Sequence, residues 1–489
     1  MEQGREISAL ELLHPDGMAH RATVIGGACP EVLRPRRPEP GAGGHADLVV
    51  LAPTRDELRE PTWLESAVEA TAASLADDGV VYVLSPPRLR WRIVRLLAER
   101  GIAIKMSFIH DPDTVGLRCL VPLSPAAATY AFTNLVATRP GRRRIVLLAL
   151  RAGWIARLLA RALPGAGLAA GRPTSRPLFD WLFALRSEDI HTPLAVVSVS
   201  WRSAGGSLVA HGFAGGAPGP AIVAKVRGPA PPGPVEEAAI IQRLGRAASD
   251  AGVAVPEPLL VETGEHRALM LETALEGSVA AAILAETPAL VPSLTRRLVE
   301  WLENWNADTR SEERLASDWF EQEVLEPARA LAPLLPDGGR YVEWLESRCR
   351  TLAGTAVPLV ATHNDLTMVN VFVGRSGSLG VVDWESAREQ GLPLVDFYYA
   401  AVDAAAAANR YADRFAAFRE QFGGEAGSSS TVRELERRLV AALDLRPEVV
   451  ELAFHVCWIQ HADAEQRATL EPARGPFLEI LRSVADSVR

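Results

Sequence analysis

The sequence predicts an α/β layered module at the N-terminus, followed by an α+β part with a strand-rich lobe and a helical lobe. Three patterns support this prediction. Short apolar runs alternate with amphipathic segments in the first part of the chain. Strand-like runs with one helix follow, and most of the remaining chain has helical periodicity. We therefore expect a module at 1–123, a helical connector and linker at 124–190, a strand-rich lobe at 191–279 and a helical lobe at 280–489.

The N-terminal module is predicted from a regular order of strands and helices. Strands are expected at 47–51, 80–84, 102–109 and 117–123, and helices at 63–75 and 89–99. This order resembles the C-terminal half of the class I S-adenosylmethionine-dependent methyltransferases, which implies a Rossmann-like fold. A cofactor site of that class requires a Gly-rich turn after its first strand, and Gly26-Gly27 is the nearest candidate. Because too few residues precede Asp47 for a complete cofactor half, we interpret the module as truncated and as not binding this cofactor.

The connector contains a basic segment and a stretch of small residues. The arginines of 145–163 lie on one arc of a helix, which is either a membrane-surface helix or an ordinary amphipathic helix. We favour the ordinary helix because the segment lies between two domains. Gly, Pro and Ala dominate residues 163–177, and this composition predicts a linker.

The strand-rich lobe carries two features that suit phosphate binding. Gly205 and Gly206 occupy a turn whose amides could bind phosphates or simply close a hairpin. Lys225 lies within an apolar strand, where a lysine is rare unless it is paired. Glu237, at the start of the next helix, is the preferred partner, and Glu236 is the alternative. An edge-strand lysine would explain the same pattern without a nucleotide.

The helical lobe contains a polar motif with the spacing H-x-D-x-x-x-x-N, formed by His363, Asp365 and Asn370. This is the spacing of a kinase catalytic loop. Asp383 follows at the end of the next apolar run. Phosphoryl transfer requires a carboxylate that orients the attacking hydroxyl, and an amide and a second carboxylate that hold Mg²⁺. We therefore predict that Asp365 is the catalytic base and that Asn370 and Asp383 are metal ligands.

Three further polar residues in this region receive supporting roles. His363 is predicted to brace the loop through hydrogen bonds rather than to take part in catalysis. Glu385 is either close to the metal site or simply exposed. Asp396 begins or caps a helix, and we interpret it first as a structural brace and second as a substrate contact.

These motifs, with G-x-P-x-x-D after them, resemble the aminoglycoside phosphotransferase and choline kinase-like family. The resemblance implies a two-lobed protein kinase-like fold, ATP and Mg²⁺ as cofactors, and a small-molecule hydroxyl acceptor such as a sugar, an aminoglycoside or an amino alcohol. It also implies an ion pair between Lys225 and Glu237, and an adenine hinge at Glu272 to Ala274. Asn364 replaces the glycine that is usual in this family.

The same resemblance suggests that the helical segment at 301–321 contributes to the acceptor site. Trp301, Trp305 and Trp319 lie there together with acidic residues, which would suit a cationic acceptor or a sugar. The alternative is an amphipathic helix pair with a tryptophan core, and we slightly favour this alternative.

The composition excludes several other classes. A net charge of -9 and a pI near 5.7 argue against nucleic-acid binding. Four widely separated cysteines predict neither a disulfide framework nor a zinc site. The absence of a long uncharged apolar stretch predicts no transmembrane segment, and we expect a cytoplasmic protein of undefined oligomeric state. A nucleotide-binding pseudokinase or scaffold is the alternative function, and a bifunctional methyltransferase-kinase is a third.

Overall fold

The computed structural model describes most of the chain. It covers residues 10–16, 19, 21–29, 45–110, 117–122, 125–134, 166–184, 194–200, 207–213, 217–227, 233–264, 267–423, 430–468 and 474–488. The candidate phosphate-binding turn at Gly205 and Gly206 and the arginine-rich segment at 145–163 lie outside these residues.

The chain forms two compact units. The first consists of Met1–Val235 and Pro258–Ala274, and the second of Glu236–Glu257 and Leu275–Arg489. Within the described residues, no helix is both long enough and apolar enough to cross a membrane.

The strands are distributed over both units. In chain order they are β1 (Ala22–Ile25), β2 (Ala46–Leu51), β3 (Leu75–Leu84), β4 (Ala103–His110), β5 (Leu117–Pro122), β6 (Ala166–Gly171), β7 (Leu194–Ser200), β8 (Ser207–Phe213), β9 (Ile222–Arg227), β10 (Val253–Ala254), β11 (Pro258–Thr263), β12 (Ala268–Thr273), β13 (Ser278–Val279), β14 (Ser311–Arg314), β15 (Ala356–Thr362), β16 (Val371–Val373), β17 (Leu379–Val381) and β18 (Arg388–Gly391).

The helices are concentrated in the second unit. In chain order they are α1 (Trp63–Ser74), α2 (Pro87–Glu99), α3 (Pro125–Asn134), α4 (Asp180–Ala184), α5 (Pro234–Asp250), α6 (Ala280–Glu286), α7 (Val291–Thr309), α8 (Ser317–Phe320), α9 (Glu326–Leu331), α10 (Gly338–Leu352), α11 (Val395–Ala408), α12 (Arg414–Phe422), α13 (Ser430–Ala442), α14 (Pro447–Ala468) and α15 (Pro476–Asp486).

The predicted order of elements in the N-terminal module is confirmed by β2, α1, β3, α2, β4 and β5. Both ends of helix α2 carry residues that are typical of helix termini. Pro87 stands in its first turn, where a proline loses no helical hydrogen bond. Gly101 follows its last turn with a φ of 73°, a left-handed conformation that glycine adopts without strain.

One eleven-stranded sheet runs through the first unit. Its strand order is β1-β2-β3-β6-β4-β5-β7-β8-β9-β12-β11. Strands β1, β2 and β3 are parallel, and β6 is antiparallel to both of its neighbours, β3 and β4. Strand β5 pairs with β4 on one side and with β7 on the other. The N-terminal strands and the strand-rich lobe therefore share continuous backbone hydrogen bonding.

The prediction of a linker over 163–177 is wrong for β6, which lies in the middle of this sheet. Its sequence, Ala-Gly-Leu-Ala-Ala-Gly, has low strand propensity and looked like a flexible segment. The structure gives a packing reason for one of its glycines. A Cβ added to Gly167 would lie 2.3 Å from the hydroxyl oxygen of Tyr82. The Tyr82 side chain therefore takes the space that a side chain at position 167 would need.

The first unit has one apolar core on each face of the N-terminal part of its sheet. On one face, α1 and α2 pack on the strands. On the other face, Leu10 and Phe179 belong to the same buried cluster as Leu208, Ala224 and Leu271 of the strand-rich lobe. The predicted domain boundaries at 123 and 190 fall within this unit and stay predictions.

The second unit places three short strands around the polar motif. Strand β15 ends at Thr362, immediately before the motif, and β16 begins at Val371, immediately after it. Strands β16 and β17 form an antiparallel hairpin, and β17 ends two residues before Asp383. Because the motif precedes β16, Asp383 follows β17, and Val371 pairs with Val381, the antiparallel hairpin holds the two polar segments side by side.

Candidate active site

The loop between β15 and β16 brings Asp365 and Asn370 together. The amide nitrogen Nδ2 of Asn370 donates to both the backbone oxygen and the Oδ2 atom of Asp365, each at 3.0 Å. Two backbone bonds, from Thr367 N to Asp365 O and from Asn370 N to Thr367 O, tighten the turn between them. The nitrogen of the Asn370 amide is thus committed to Asp365, which directs its oxygen away from that carboxylate.

Asp383 follows β17 in a left-handed backbone conformation with a φ of 67°. Such a conformation is uncommon for a residue other than glycine and tends to occur at functional sites. Val382 N donates to Asn370 O at 3.0 Å. This bond ties the segment of Asp383 to the loop between β15 and β16, residues 363–370, which is the predicted catalytic loop. The sequence-predicted base and the two predicted metal ligands therefore lie in one site.

The surroundings of Asp365 raise its pKa well above the usual range of a carboxyl group. Burial is the largest cause, and the negative charges of Asp383, Asp403 and Glu385 act in the same direction. The hydrogen bond from Asn370 opposes them. A cluster of several carboxylates around one half-buried carboxyl is a setting in which a cation would be stabilising.

The donor set fits Mg²⁺ and a phosphate group. Hard cations prefer carboxylate and amide oxygens, which Asp383 and Asn370 supply. Thr367, between Asp365 and Asn370, is 7% exposed, and its hydroxyl has no hydrogen-bond partner among the described residues. A buried hydroxyl of this kind requires an explanation, and a phosphate oxygen would provide one. No group of three or more His, Cys, Asp and Glu side chains in the described part of the chain forms a metal site by itself.

The start of the catalytic loop is fixed by Asp396. Its Oδ2 and Oδ1 atoms accept the backbone N–H groups of His363 at 2.7 Å and Asn364 at 2.8 Å. Burial raises the pKa of Asp396 to about 6, although both hydrogen bonds act to lower it. Asn364 has a φ of 60°, and its side chain donates to Ser386 O at 3.0 Å. Asn364 therefore adopts the conformation for which glycine is the usual choice, because asparagine tolerates it better than most residues.

His363 and Trp384 pack against each other next to the loop. His363 is fully buried, its Nε2 atom lies 3.1 Å from Val382 O, and its ring packs against the ring of Trp384. The backbone nitrogen of Trp384 donates to Oε1 of Glu237 at 3.0 Å. These contacts suit the bracing role predicted for His363. Glu385 is exposed.

The predicted nucleotide-binding residues of the first unit lie on β9 and β12. The Nζ atom of Lys225 is 3.4 Å from Oε1 of Glu272, which is 2% exposed. Ala274 N donates to Ala221 O at 3.1 Å and extends the pairing of the two strands. The ion pair between Lys225 and Glu237 and the hinge role of Glu272 and Ala274 stay predictions.

The tryptophans of the predicted acceptor segment form a core. Trp301 and Trp305 are buried and stacked, with their ring centroids 4.9 Å apart. Trp305 also contacts the ring of Trp384 edge-on at 5.7 Å. The tryptophan core that we favoured is confirmed for this pair. It contacts the site through Trp384, which also packs against His363.

The sequence reasoning missed a second buried carboxylate near the loop. Asp403 accepts the backbone N–H of Met368 at 2.6 Å, and Arg414 and Tyr411 also bind it. A signal was present in α11, because Asp396 and Asp403 are its only charged residues and stand seven positions apart. That spacing places both on one face of a helix.

Comparison with known proteins identifies the class to which this fold and site belong. A family model described as the phosphotransferase enzyme family matches residues 213–469, just over half of the chain. The chain belongs to this phosphotransferase enzyme family, and the kinase-like fold predicted for the C-terminal part is confirmed in this way. The Rossmann-like interpretation of residues 1–123 stays a prediction. No curated protein matches the sequence at a significant level.

Three solved structures illustrate the likeness. An aminoglycoside phosphotransferase from Streptomyces rimosus, in complex with ADP and streptomycin, is 17% identical, covers 51% of this chain and 88% of its own, and has a TM-score of 0.32. A macrolide 2'-phosphotransferase from Brachybacterium faecium is 17% identical over 57% and 89% of the two chains, with a TM-score of 0.32. The GDP complex of a mutant aminoglycoside 2'-phosphotransferase is 15% identical over 57% and 88%, with a TM-score of 0.37.

Proposed function

We propose that the protein is an ATP- and Mg²⁺-dependent phosphotransferase that acts on a hydroxyl group of a small molecule such as a sugar, an aminoglycoside or an amino alcohol. One observation carries the proposal beyond family membership. Asn370 holds the carboxylate of Asp365 through its amide nitrogen, while its backbone oxygen binds the segment that carries Asp383. A base and two oxygen ligands in this arrangement suit in-line transfer to a hydroxyl.

Asp365 orients the acceptor hydroxyl and accepts its proton as the hydroxyl oxygen bonds to the γ-phosphorus of ATP. The bond from the γ-phosphorus to the bridging oxygen breaks in the same transfer, and ADP leaves. The raised pKa of Asp365 makes it a stronger base than an ordinary carboxylate. Asn370 fixes the direction of this carboxylate because its Nδ2 atom binds Oδ2 of Asp365. The proton therefore moves to a carboxylate whose position is set before the acceptor binds.

Asn370 and Asp383 would hold Mg²⁺, which lowers the barrier by neutralising charge on the nucleotide phosphates. Lys225 would bind the α- and β-phosphates, and Glu272 to Ala274 would line the adenine. Thr367 would donate its hydroxyl to a phosphate oxygen, which would satisfy a buried group.

The test is ATP consumption by the purified protein with Mg²⁺ and a panel of amino alcohols, aminoglycosides and sugars. We expect acceptor-stimulated turnover that falls by about 1000-fold or more in Asp365→Ala, with nucleotide affinity retained. Asp56→Ala is a matched control, because this carboxylate is exposed on the first unit and pairs with the equally exposed Arg59. It should keep full activity.

Two outcomes would contradict the proposal. Full turnover in Asp365→Ala would remove the base from the mechanism. Nucleotide binding by the wild-type protein without turnover on any acceptor would instead favour the alternative of a nucleotide-binding scaffold.

A further inference from the structure

Helix α11 holds the catalytic loop at two points. Asp396 binds the N–H groups of His363 and Asn364, which precede Asp365. Asp403 binds the N–H of Met368, which follows Asp365, at 2.6 Å. Seven helical residues correspond to a rise of about 10 Å and to almost two full turns, so both carboxylates face the loop. Asp365 thus lies between two fixed segments of backbone.

The second anchor is a buried ion pair. Asp403 is fully buried, and its Oδ1 atom lies 2.6 Å from Nη2 of Arg414. The hydroxyl of Tyr411 donates to the Oδ2 atom of Asp403 at 3.0 Å. A buried ion pair contributes little net stability compared with apolar packing, which suggests that its value lies in specifying one geometry.

The partners of Asp403 are themselves held in place. The guanidinium of Arg414 lies over the rings of Phe477, at 4.6 Å, and Tyr411, at 5.2 Å. Arg410 and Tyr411 have φ values of 54° and 56°, a left-handed conformation that two successive residues other than glycine rarely share. Such strain persists only where the surroundings determine it, and it is typical of functional sites.

We propose that Asp403, with Arg414 as its counter-charge and Tyr411 as its second donor, is a positioning residue that fixes the half of the catalytic loop after Asp365. This role rests on the proposed phosphotransferase function. Thr367 N binds Asp365 O, so the backbone that Asp403 holds at Met368 continues directly into the hydrogen-bonded turn of Asp365. Release of Met368 would let the carboxylate of Asp365 shift relative to the acceptor hydroxyl. A displacement of about 1 Å can lower the rate of chemistry by roughly 100-fold.

A matched pair of substitutions separates this role from general destabilisation. Tyr411→Phe removes the hydroxyl that binds Asp403, and Tyr398→Phe removes a hydroxyl on α11 that donates to Glu436 at 2.7 Å. Both variants lose one hydrogen bond to a carboxylate, but only the first bond belongs to the anchor of the loop. We expect kcat to fall about threefold to tenfold in Tyr411→Phe and to stay unchanged in Tyr398→Phe.

Asp403→Asn tests the anchor itself. Met368 donates to Oδ2 of Asp403 and Arg414 to Oδ1, and an amide replaces one of these oxygens with a donor that opposes the N–H group facing it. We therefore expect kcat to fall by about 10- to 100-fold. The KM values for ATP and for the acceptor should stay within about twofold, because neither ligand touches a fully buried group. In an Asp365→Ala background, Asp403→Asn should have no further effect on the residual rate, since it acts through Asp365.

The outcomes distinguish the two levels of the argument. Three results would each overturn the positioning role. The first is an equal kcat for Tyr411→Phe and Tyr398→Phe, and the second is a change in KM without a change in kcat. The third is that Asp403→Asn lowers the residual rate of Asp365→Ala as much as it lowers the rate of the wild type. Tyr411→Phe decides the matter if Asp403→Asn does not fold. Absence of acceptor-dependent turnover in the wild-type protein would refute the proposed function, and the role of Asp403 with it.

Discussion

Replacement of Asp396 by asparagine should destabilise the protein by an amount that depends on pH. Both oxygens of this buried carboxyl accept backbone N–H groups, from His363 and Asn364. Asparagine keeps one acceptor and places an amide donor against the other N–H. The variant therefore loses one bond at every pH, and it also loses the titration of the carboxyl.

The magnitude follows from the shifted pKa. Burial raises the pKa of Asp396 from its ordinary value of 3.8 to about 6. The folded protein consequently binds a proton more tightly than the unfolded chain, so the contribution to stability is fully present at low pH and is lost as the pH rises through about 6. Linkage gives about 2 kcal/mol between roughly pH 4.5 and pH 7.5. Asp396→Asn should thus be more destabilising by about 2 kcal/mol at the lower pH.

Urea unfolding of both proteins at the two pH values would measure this difference. Tryptophan fluorescence is a suitable probe, because Trp384 packs against His363 beside the bonds in question. The difference between wild type and variant cancels the titration of other groups. A destabilisation that is the same at both pH values within about 0.5 kcal/mol, or larger at the higher pH, would refute the reasoning.

Two further predictions concern the backbone of the loop and the nucleotide. Asn364→Gly should change stability by less than about 1 kcal/mol, because relief of the strained φ offsets the lost bond to Ser386, whereas Asn364→Val should cost about 2 kcal/mol or more. Unfolding midpoints would show it, and equal effects of the two substitutions would contradict it. Lys225→Met should weaken ATP binding by about 10-fold or more in calorimetric titration, and an unchanged affinity would exclude a phosphate contact.

The catalytic loop was predictable because its information is local. Asp365 and Asn370 lie in one short segment, and their spacing alone places them in contact once a turn forms between them. Asp383 could be added because it follows a later apolar run, Leu379 to Val382, which is also visible in the sequence. The role of Asp403 could not be predicted in the same way, because it depends on how α11 packs against a loop more than thirty residues earlier in the chain. Only its spacing from Asp396 was visible in the sequence.

Strand β6 shows a different limit of sequence reasoning. Local propensity favoured a linker, since five of its six residues are alanine or glycine and only Leu168 is a larger apolar residue. The strand forms because neighbours on both sides supply hydrogen bonds and because Gly167 makes room for Tyr82. Tertiary contacts therefore override propensity where a sheet needs small side chains.

The N-terminal module has a structural reason to be present that does not depend on a ligand of its own. Leu10 and Val50 of the module belong to the same buried cluster as Leu208 of the strand-rich lobe, and removal of the module would expose part of that cluster to water. The turn after β1 gives a second reason to regard the module as structural. Gly27 N and Thr54 N both donate to Oε2 of Glu57, at 3.2 and 2.6 Å. An internal carboxylate thus already binds the Gly27 amide, which a ligand at this turn would need, whereas the shared buried cluster requires no ligand.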